Sequence, residues 1–272
     1  IGSGLVGSEM CIRDRYSSYL MDCHLRLNTI STYMRMLRCI YNRGVDMHQT
    51  PYVHRMFRDV FTGIDTRQKK AIPINELHTL LNEDPQSDKL RRTQAIANLL
   101  FLFCGMPFVD LAYLEKSNLE GNMLKYNRAK TGIPMNVEIL DSAATIISQL
   151  RNKHTTVLPE HPDYLFYILS GKNKRSDEAG YKEYQSALRC FNNDLKSLAR
   201  KLCIRSSVTS YTFRHSWATT AKYRGVPIEM ISESLGHKSI KTTQIYLKGF
   251  ELSERTKVNR LNYSYVMNFK TI

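Results

Sequence analysis

Residues 211–246 read YTFRHSWATTAKYRGVPIEMISESLGHKSIKTTQIY, and the spacing within them predicts two or three short helices in series. Ser210 is suited to cap the first, which puts Tyr211 and Arg214 three apart on one face. Phe213 and Trp217 stand four apart and point elsewhere, into a core. Pro227 fits a first helical position, Ile228, Ile231 and Leu235 form a buried stripe, and Gly236 fits a helix stop. His237 then falls just past a helix end, and Ser239 is placed to cap the next helix, which carries Tyr246. A guanidinium grips two phosphate oxygens at once, most favourably near a helix start. A tyrosine phenol, with a pKa near ~10, is a nucleophile that needs help at neutral pH.

Upstream, residues 91–103 become apolar on every side after Ala95, the pattern of a central buried helix that ends at Cys104-Gly105. A second helix, 108–114, carries Asp110. The period then changes from helical to two. Gly121-Asn122 and Lys130-Thr131-Gly132 read as turns, and Ile133, Met135, Val137 and Ile139 alternate after them. This predicts a three-stranded antiparallel sheet with Lys130 at the tip of its second turn. Asp141 is expected to cap a helix running to about Lys153, residues 159–180 read as loop, and an apolar stripe predicts a helix over 181–202. The fold expected is mainly α with a small antiparallel sheet.

Toward the N-terminus the signals weaken. Residues 1–15 carry no period and resemble a non-native leader, so they are left out of the fold; on that reading the first domain is a fragment. From Asn28, Ile30, Tyr33, Met34, Leu37, Ile40 and Tyr41 fall on one helical face, with Asn28 or Thr29 as cap and Gly44 as stop. Residues 45–75 read as a short helix and then a basic linker, Arg67-Gln-Lys-Lys70 followed by Pro73. The expected organisation is a leader at 1–15, a partial helical domain at 16–66 and a larger domain at 67–272.

Lys and Arg number 39 against 25 acidic residues, a net charge of +14, which suits a polyanionic partner, nucleic acid before membrane. Six cysteines show no metal-ligand spacing, no run of apolar residues is long enough to span a bilayer, and no signal-peptide pattern opens the chain. A cytoplasmic protein with reduced thiols, no metal and no cofactor is expected.

The order Arg214-His215, Leu235-Gly236-His237, Tyr246 resembles the C-terminal motif of the tyrosine recombinases, the phage-integrase family. LGHKSIKTTQIY follows that pattern closely, and GMPFVDLAYL with YNRAKTG resembles the short integrases of Bacteroides-type mobile elements. The resemblance covers roughly 25–265. It implies a catalytic domain preceded by a partial DNA core-binding domain, acting on double-stranded attachment sites as a homo-tetramer on DNA, with a C-terminal segment docking on the neighbouring protomer. Tyr246 would be the nucleophile that forms a 3′-phosphotyrosine, without metal or ATP. Arg214 would be the second clamp arginine, His237 a hydrogen-bonding partner of the scissile phosphate, Lys130 the acid for the leaving 5′ oxygen, and Asp110 a residue that holds the site together. Tyr211 stands where much of the family has histidine. Cys104 stands where the first clamp arginine is expected, and a thiol supplies neither the charge nor the bidentate grip. Two other readings follow: a catalytically impaired DNA-binding relative, or relaxation of DNA in the manner of a type IB topoisomerase.

Overall fold

The computed structural model describes residues 3–63, 71–151, 162–173, 175–247 and 252–267, and the chain divides into two units, Ile1–Gln68 and Lys69–Ile272. In the first, α1 (Ser3–Asp22) and α2 (Leu27–Asp46) contribute Leu20, Ile30 and Met34 to a small core completed by Met56, Phe57 and Val60. Helix α1 runs through the stretch that lack of periodicity leaves out of the fold. Its Arg13 is buried, and the guanidinium donates to the Met56 carbonyl.

Three expectations for this unit are corrected. Helix α2 begins one residue before Asn28, with Arg26 as its N-cap, and it passes Gly44 to end at Asp46, beyond which His48 takes a positive φ of 56°. Tyr33 and Ile40 are 42% and 67% exposed, so the buried stripe is narrower than the periodicity suggests and runs through Ile30 and Met34, flanked by Leu37 and Tyr41. Among the described residues no helix follows α2 in this unit: residues 54–59 form turns, and Met56, Phe57 and Val60 reach the core from irregular backbone. The basic run 67–70 lies outside the described residues.

The second unit is built around one helix. After α3 (Ile74–Asn82), α4 (Asp88–Leu102) packs against α3, α6 (Asp141–Leu150), α7 (Glu178–Lys201) and α8 (Ser210–Tyr223), and α5 (Phe108–Ala112) follows it in the chain. This is why α4 loses its polar face toward its end: Ala97, Leu99 and Leu100 are fully buried, with Leu80, Leu195, Leu198 and Phe213 in the same core. Burying each such leucine contributes about 1.5–3 kcal/mol.

Strands β1 (Leu119–Glu120), β2 (Met123–Asn127) and β3 (Pro134–Glu138) form the antiparallel sheet in the order β1-β2-β3. The register pairs Leu124 with Val137 and Tyr126 with Met135, and these four form its buried face. Helix α6 begins with Asp141 itself, the N-cap being Leu140, so the carboxylate supports the helix dipole instead of capping; the helix ends at Leu150, before the expected limit. After α8 come α9 (Ile228–Ser234), α10 (Ile240–Tyr246) and α11 (Leu252–Met267). Ala218, Ile231 and Leu235 form a second, smaller core in this unit, beside Trp217. Among the described residues no helix is long and apolar enough to cross a membrane.

Candidate active site

Arg214 is the centre of the site, and its setting follows from how α8 starts. Thr209, one residue before the expected Ser210, is the N-cap; its N–H donates to the Thr212 hydroxyl at 2.9 Å, and the Ser210 N–H donates to Asn192 Oδ1 at 2.8 Å. This start buries Phe213 in the main core and Arg214 to 2% exposure. An arginine so deep must have its donors paired. Nη1 donates to the Gly105 carbonyl at 2.9 Å, and Nη2 donates to the Leu235 carbonyl at 2.5 Å. Both acceptors sit at chain breaks: the turn after α4 and the end of α9.

The first break needs a glycine. Gly105 has φ +68°, and a Cβ there would lie 2.9 Å from the Arg214 Cα, closer than real side chains approach. Cys104, just before it, also takes a positive φ, 54°, and burial pushes its thiol pKa up, so it stays neutral. The position expected to hold the first clamp arginine therefore carries no charge.

The second break places His237. Helix α9 closes with the Gly236 N–H donating to the Glu233 carbonyl and the His237 N–H to the Ser232 carbonyl, at 2.8 and 3.0 Å, the paired bonds of a glycine C-cap. Gly236 has φ +61°, and a Cβ there would lie 2.8 Å from Met135 Sδ and 2.9 Å from Arg128 Cγ. The helix end thus rests directly on the sheet, and Thr131 Oγ1 donates to the Gly236 carbonyl at 3.3 Å. Pro227 serves as N-cap of α9, one position before the expected one, which costs nothing because proline lacks the N–H.

Against Arg214, His237 Nε2 lies 3.1 Å from Nη2, and Nδ1 lies 2.8 Å from Thr243 Oγ1. Burial first, then the charges of Arg214, Arg128 and Lys130, push the His237 pKa down to about 4, so the ring is neutral at physiological pH. The Lys130 turn lies beside Arg214 although the two are far apart in sequence, since Thr131 donates to the carbonyl of Gly236, next to His237, and Arg128 packs against Gly236.

Asp110 fixes that turn. Its Oδ2 pairs with Arg128 Nη1 at 2.6 Å, both side chains being buried, and its Oδ1 accepts from the Ala129 N–H at 2.9 Å. Closing bonds run from the Arg128 N–H to the Ile133 carbonyl and from the Gly132 N–H to the Arg128 carbonyl. Asp110 therefore grips the first residues of the loop that presents Lys130. Arg128 is the site residue that the sequence reading does not single out. The signal was present: Leu124, Tyr126 and Arg128 recur at period two, so the arginine faces inward with them. Its Nε has no hydrogen-bond partner among the described residues.

Of the six expected site residues, Arg214 and His237 are in direct contact, while Asp110, on α5, grips the turn beside them that carries Lys130. Tyr211 shares a helix with Arg214 but is 44% exposed where Arg214 is buried, and its ring lies 6.0 Å from that of His215. Tyr246 is the final residue of α10, whose cap is Ser239 accepting from the Lys241 N–H, as expected; the Tyr246 side chain lies outside the described residues. Among the described residues no cluster of His, Cys, Asp and Glu is arranged to hold a metal.

A family model described as the phage integrase family matches residues 70–251. The chain is 30% identical over 195 residues to tyrosine recombinase XerA of Pyrococcus furiosus, covering 71% of this chain and 62% of that protein. It is 24% identical over 226 residues to tyrosine recombinase XerD of Listeria monocytogenes, covering 80% and 70%. The chain thus spans less than two thirds of the XerA relative's length. Among solved structures, XerH site-specific recombinase bound to its difH substrate is similar with a TM-score of 0.64 at 16% identity, over 96% of this chain and 72% of that one. The Tn1549 transposon integrase bound to circular-intermediate DNA gives 0.61 at 13%, over 93% and 86%. These likenesses establish the same helical fold around a small sheet, and with the family match over residues 70–251 they show that the chain belongs to the phage integrase family.

Proposed function

We propose that this protein is a site-specific DNA recombinase that breaks and rejoins strands through Tyr246. The observation that carries the reading is the convergence of Arg214, Arg128 and Lys130 on the neutral His237, one short loop before the helix that ends in Tyr246. Such a cluster of fixed cations suits the extra negative charge of a pentavalent phosphorane. The Tyr246 phenolate oxygen would attack phosphorus, forming a 3′-phosphotyrosine and releasing the 5′ oxygen, which Lys130 protonates. Reversal by another strand's 5′-hydroxyl restores the phosphodiester, since the covalent link conserves its energy. Arg214 and His237 would contact the phosphate, and Asp110 would hold the turn that aims Lys130.

Cys104 weakens this clamp. Losing one such donor costs about 3–4 kcal/mol, a rate loss of 10²–10³-fold. Arg128, buried two residues before Lys130, does not make up that deficit, because its charge is paired with Asp110 at 2.6 Å. The second reading, an impaired DNA-binding relative, rests on the neutral Cys104 thiol. The partner is double-stranded DNA, for which the charge of +14 is suited, and the first unit serves as a partial core-binding domain. Helix α11 exposes Val258, Leu261, Tyr263 and Met267, a surface for a neighbouring protomer in a tetramer on DNA. The place of action is the cytoplasm, where the chromosome is accessible.

The test is a nicked duplex that traps the covalent intermediate. The expected result is a protein–DNA adduct that survives denaturant and is absent in Tyr246→Phe. Binding with no adduct would establish the impaired reading instead, and release of supercoils without strand exchange would favour a topoisomerase.

A further inference from the structure

The hydrogen bonds around His237 carry a consequence for Thr243, a residue that the proposed chemistry does not use. Thr243 is fully buried on α10, three residues before Tyr246, and its hydroxyl lies 2.8 Å from His237 Nδ1. On the other side of the ring, Nε2 lies 3.1 Å from Arg214 Nη2. A guanidinium only donates, so Nε2 must accept, and in a neutral ring the proton then sits on Nδ1 and is donated to Thr243 Oγ1. The tautomer is thereby determined from both ends of the imidazole.

We infer that Thr243 is the positioning residue for His237, and that its hydroxyl holds the ring in either neutral tautomer. A hydroxyl can accept or donate at the same position, whereas a carbonyl or carboxylate only accepts. In the free protein Oγ1 accepts from Nδ1–H, and Nε2 accepts from Arg214 Nη2. When a phosphate oxygen draws Arg214 toward itself, the hydroxyl turns to donate to Nδ1, and Nε2–H becomes a donor to the phosphate. One proton leaves Nδ1 and another arrives at Nε2 through solvent, which reaches the half-buried ring; its charge does not change. Thr243 also ties the histidine to the nucleophile's own helix, so that ring and helix move together. The charged groups facing the ring, Arg214 from α8 and Arg128 and Lys130 from the sheet turn, are all cationic and keep it neutral in the free protein.

The catalytic part of this inference rests on the function proposed above; the tautomer part does not. Imidazole nitrogen NMR on the full chain with isotope-labelled histidine, the His237 signals assigned by their loss in His237→Gln, reads the tautomer directly. Wild type and Thr243→Ser are expected to show Nδ1 protonated and hydrogen-bonded, and Thr243→Val to lose the shift that this hydrogen bond gives the Nδ1 signal. In single-turnover trapping on the nicked duplex, Thr243→Val should form adduct about tenfold more slowly with unchanged DNA affinity, the value of one hydrogen bond, and Thr243→Ser should restore the rate. A wild-type ring protonated on Nε2 would overturn the inference, as would a Ser variant that behaves like Val. Should Thr243→Val not fold, the wild-type and Ser spectra still decide. A wild type that forms no adduct defeats the recombinase reading and leaves the NMR result standing.

Discussion

The site has two halves that differ in how they are built. One, residues 211–246, is nearly continuous in sequence: α8 supplies Arg214, the glycine-closed end of α9 supplies His237, and α10 carries Thr243 and Tyr246. The other, residues 104–132, is assembled from a turn after α4, a short helix and a hairpin loop, and its members are held by side chains and not by helical spacing. The first half orders its groups through local rules: caps, a C-terminal glycine and i,i+3 spacing. The second depends on one buried carboxylate, Asp110, and contains the departure at Cys104. A decayed or retuned clamp is therefore easiest to produce in the second half, where a single change removes a charge without disturbing any helix.

The largest effect is expected from removing Asp110. Asp110→Ala leaves Arg128 buried with no counter-charge and the Ala129 N–H without its acceptor, which should destabilise the second unit by about 3–5 kcal/mol. Chemical denaturation measures it; a change under ~1 kcal/mol would mean the hairpin loop is held by something other than this carboxylate.

Next is the gain of function. Cys104→Arg should raise covalent adduct formation by about 10²–10³-fold, since it returns a charged donor to the phosphate. Equal rates in both forms would mean that the second half is complete as it stands, without a charge at position 104.

The smallest effect concerns the first half and pH. The folded His237 pKa of about 4 lies below the unfolded value near ~6.5, so the unfolded chain takes up the proton first. The associated stability is fully present above the unfolded value and is lost as pH falls from there toward 4. Urea midpoints between neutral and acidic pH should decline more steeply in the wild type than in His237→Gln. Parallel declines would show that the ring is not held neutral by its three cations.

Much of this was legible in the sequence, for identifiable reasons. Gly236 at a helix end, Ser239 as a cap, and the period-two run Met135–Val137 are local signals, and each appears where local rules put it. The errors were local as well. Helical spacing puts Tyr33 and Ile40 on a face that a short two-helix core leaves uncovered, and Met56 and Phe57 are buried from turns that no periodicity announces. Arg128 was passed over because a charged side chain at an inward strand position has meaning only once its partner, Asp110, is known to lie beneath it.

By itself, then, the sequence determined the order of helices and strands, the residue types suited to phosphate chemistry, and the family resemblance, because each depends on spacing within one element or one motif. Only the tertiary structure decided that Gly105 and Leu235 share Arg214, that Asp110 grips the Lys130 turn, and that His237 lies between Arg214 and Thr243. Those are contacts between distant elements, made because buried donors must find acceptors wherever the packed core brings them. The motif of residues 211–246 names the chemistry; the hydrogen bonds that the core imposes determine which atoms are positioned to carry it out.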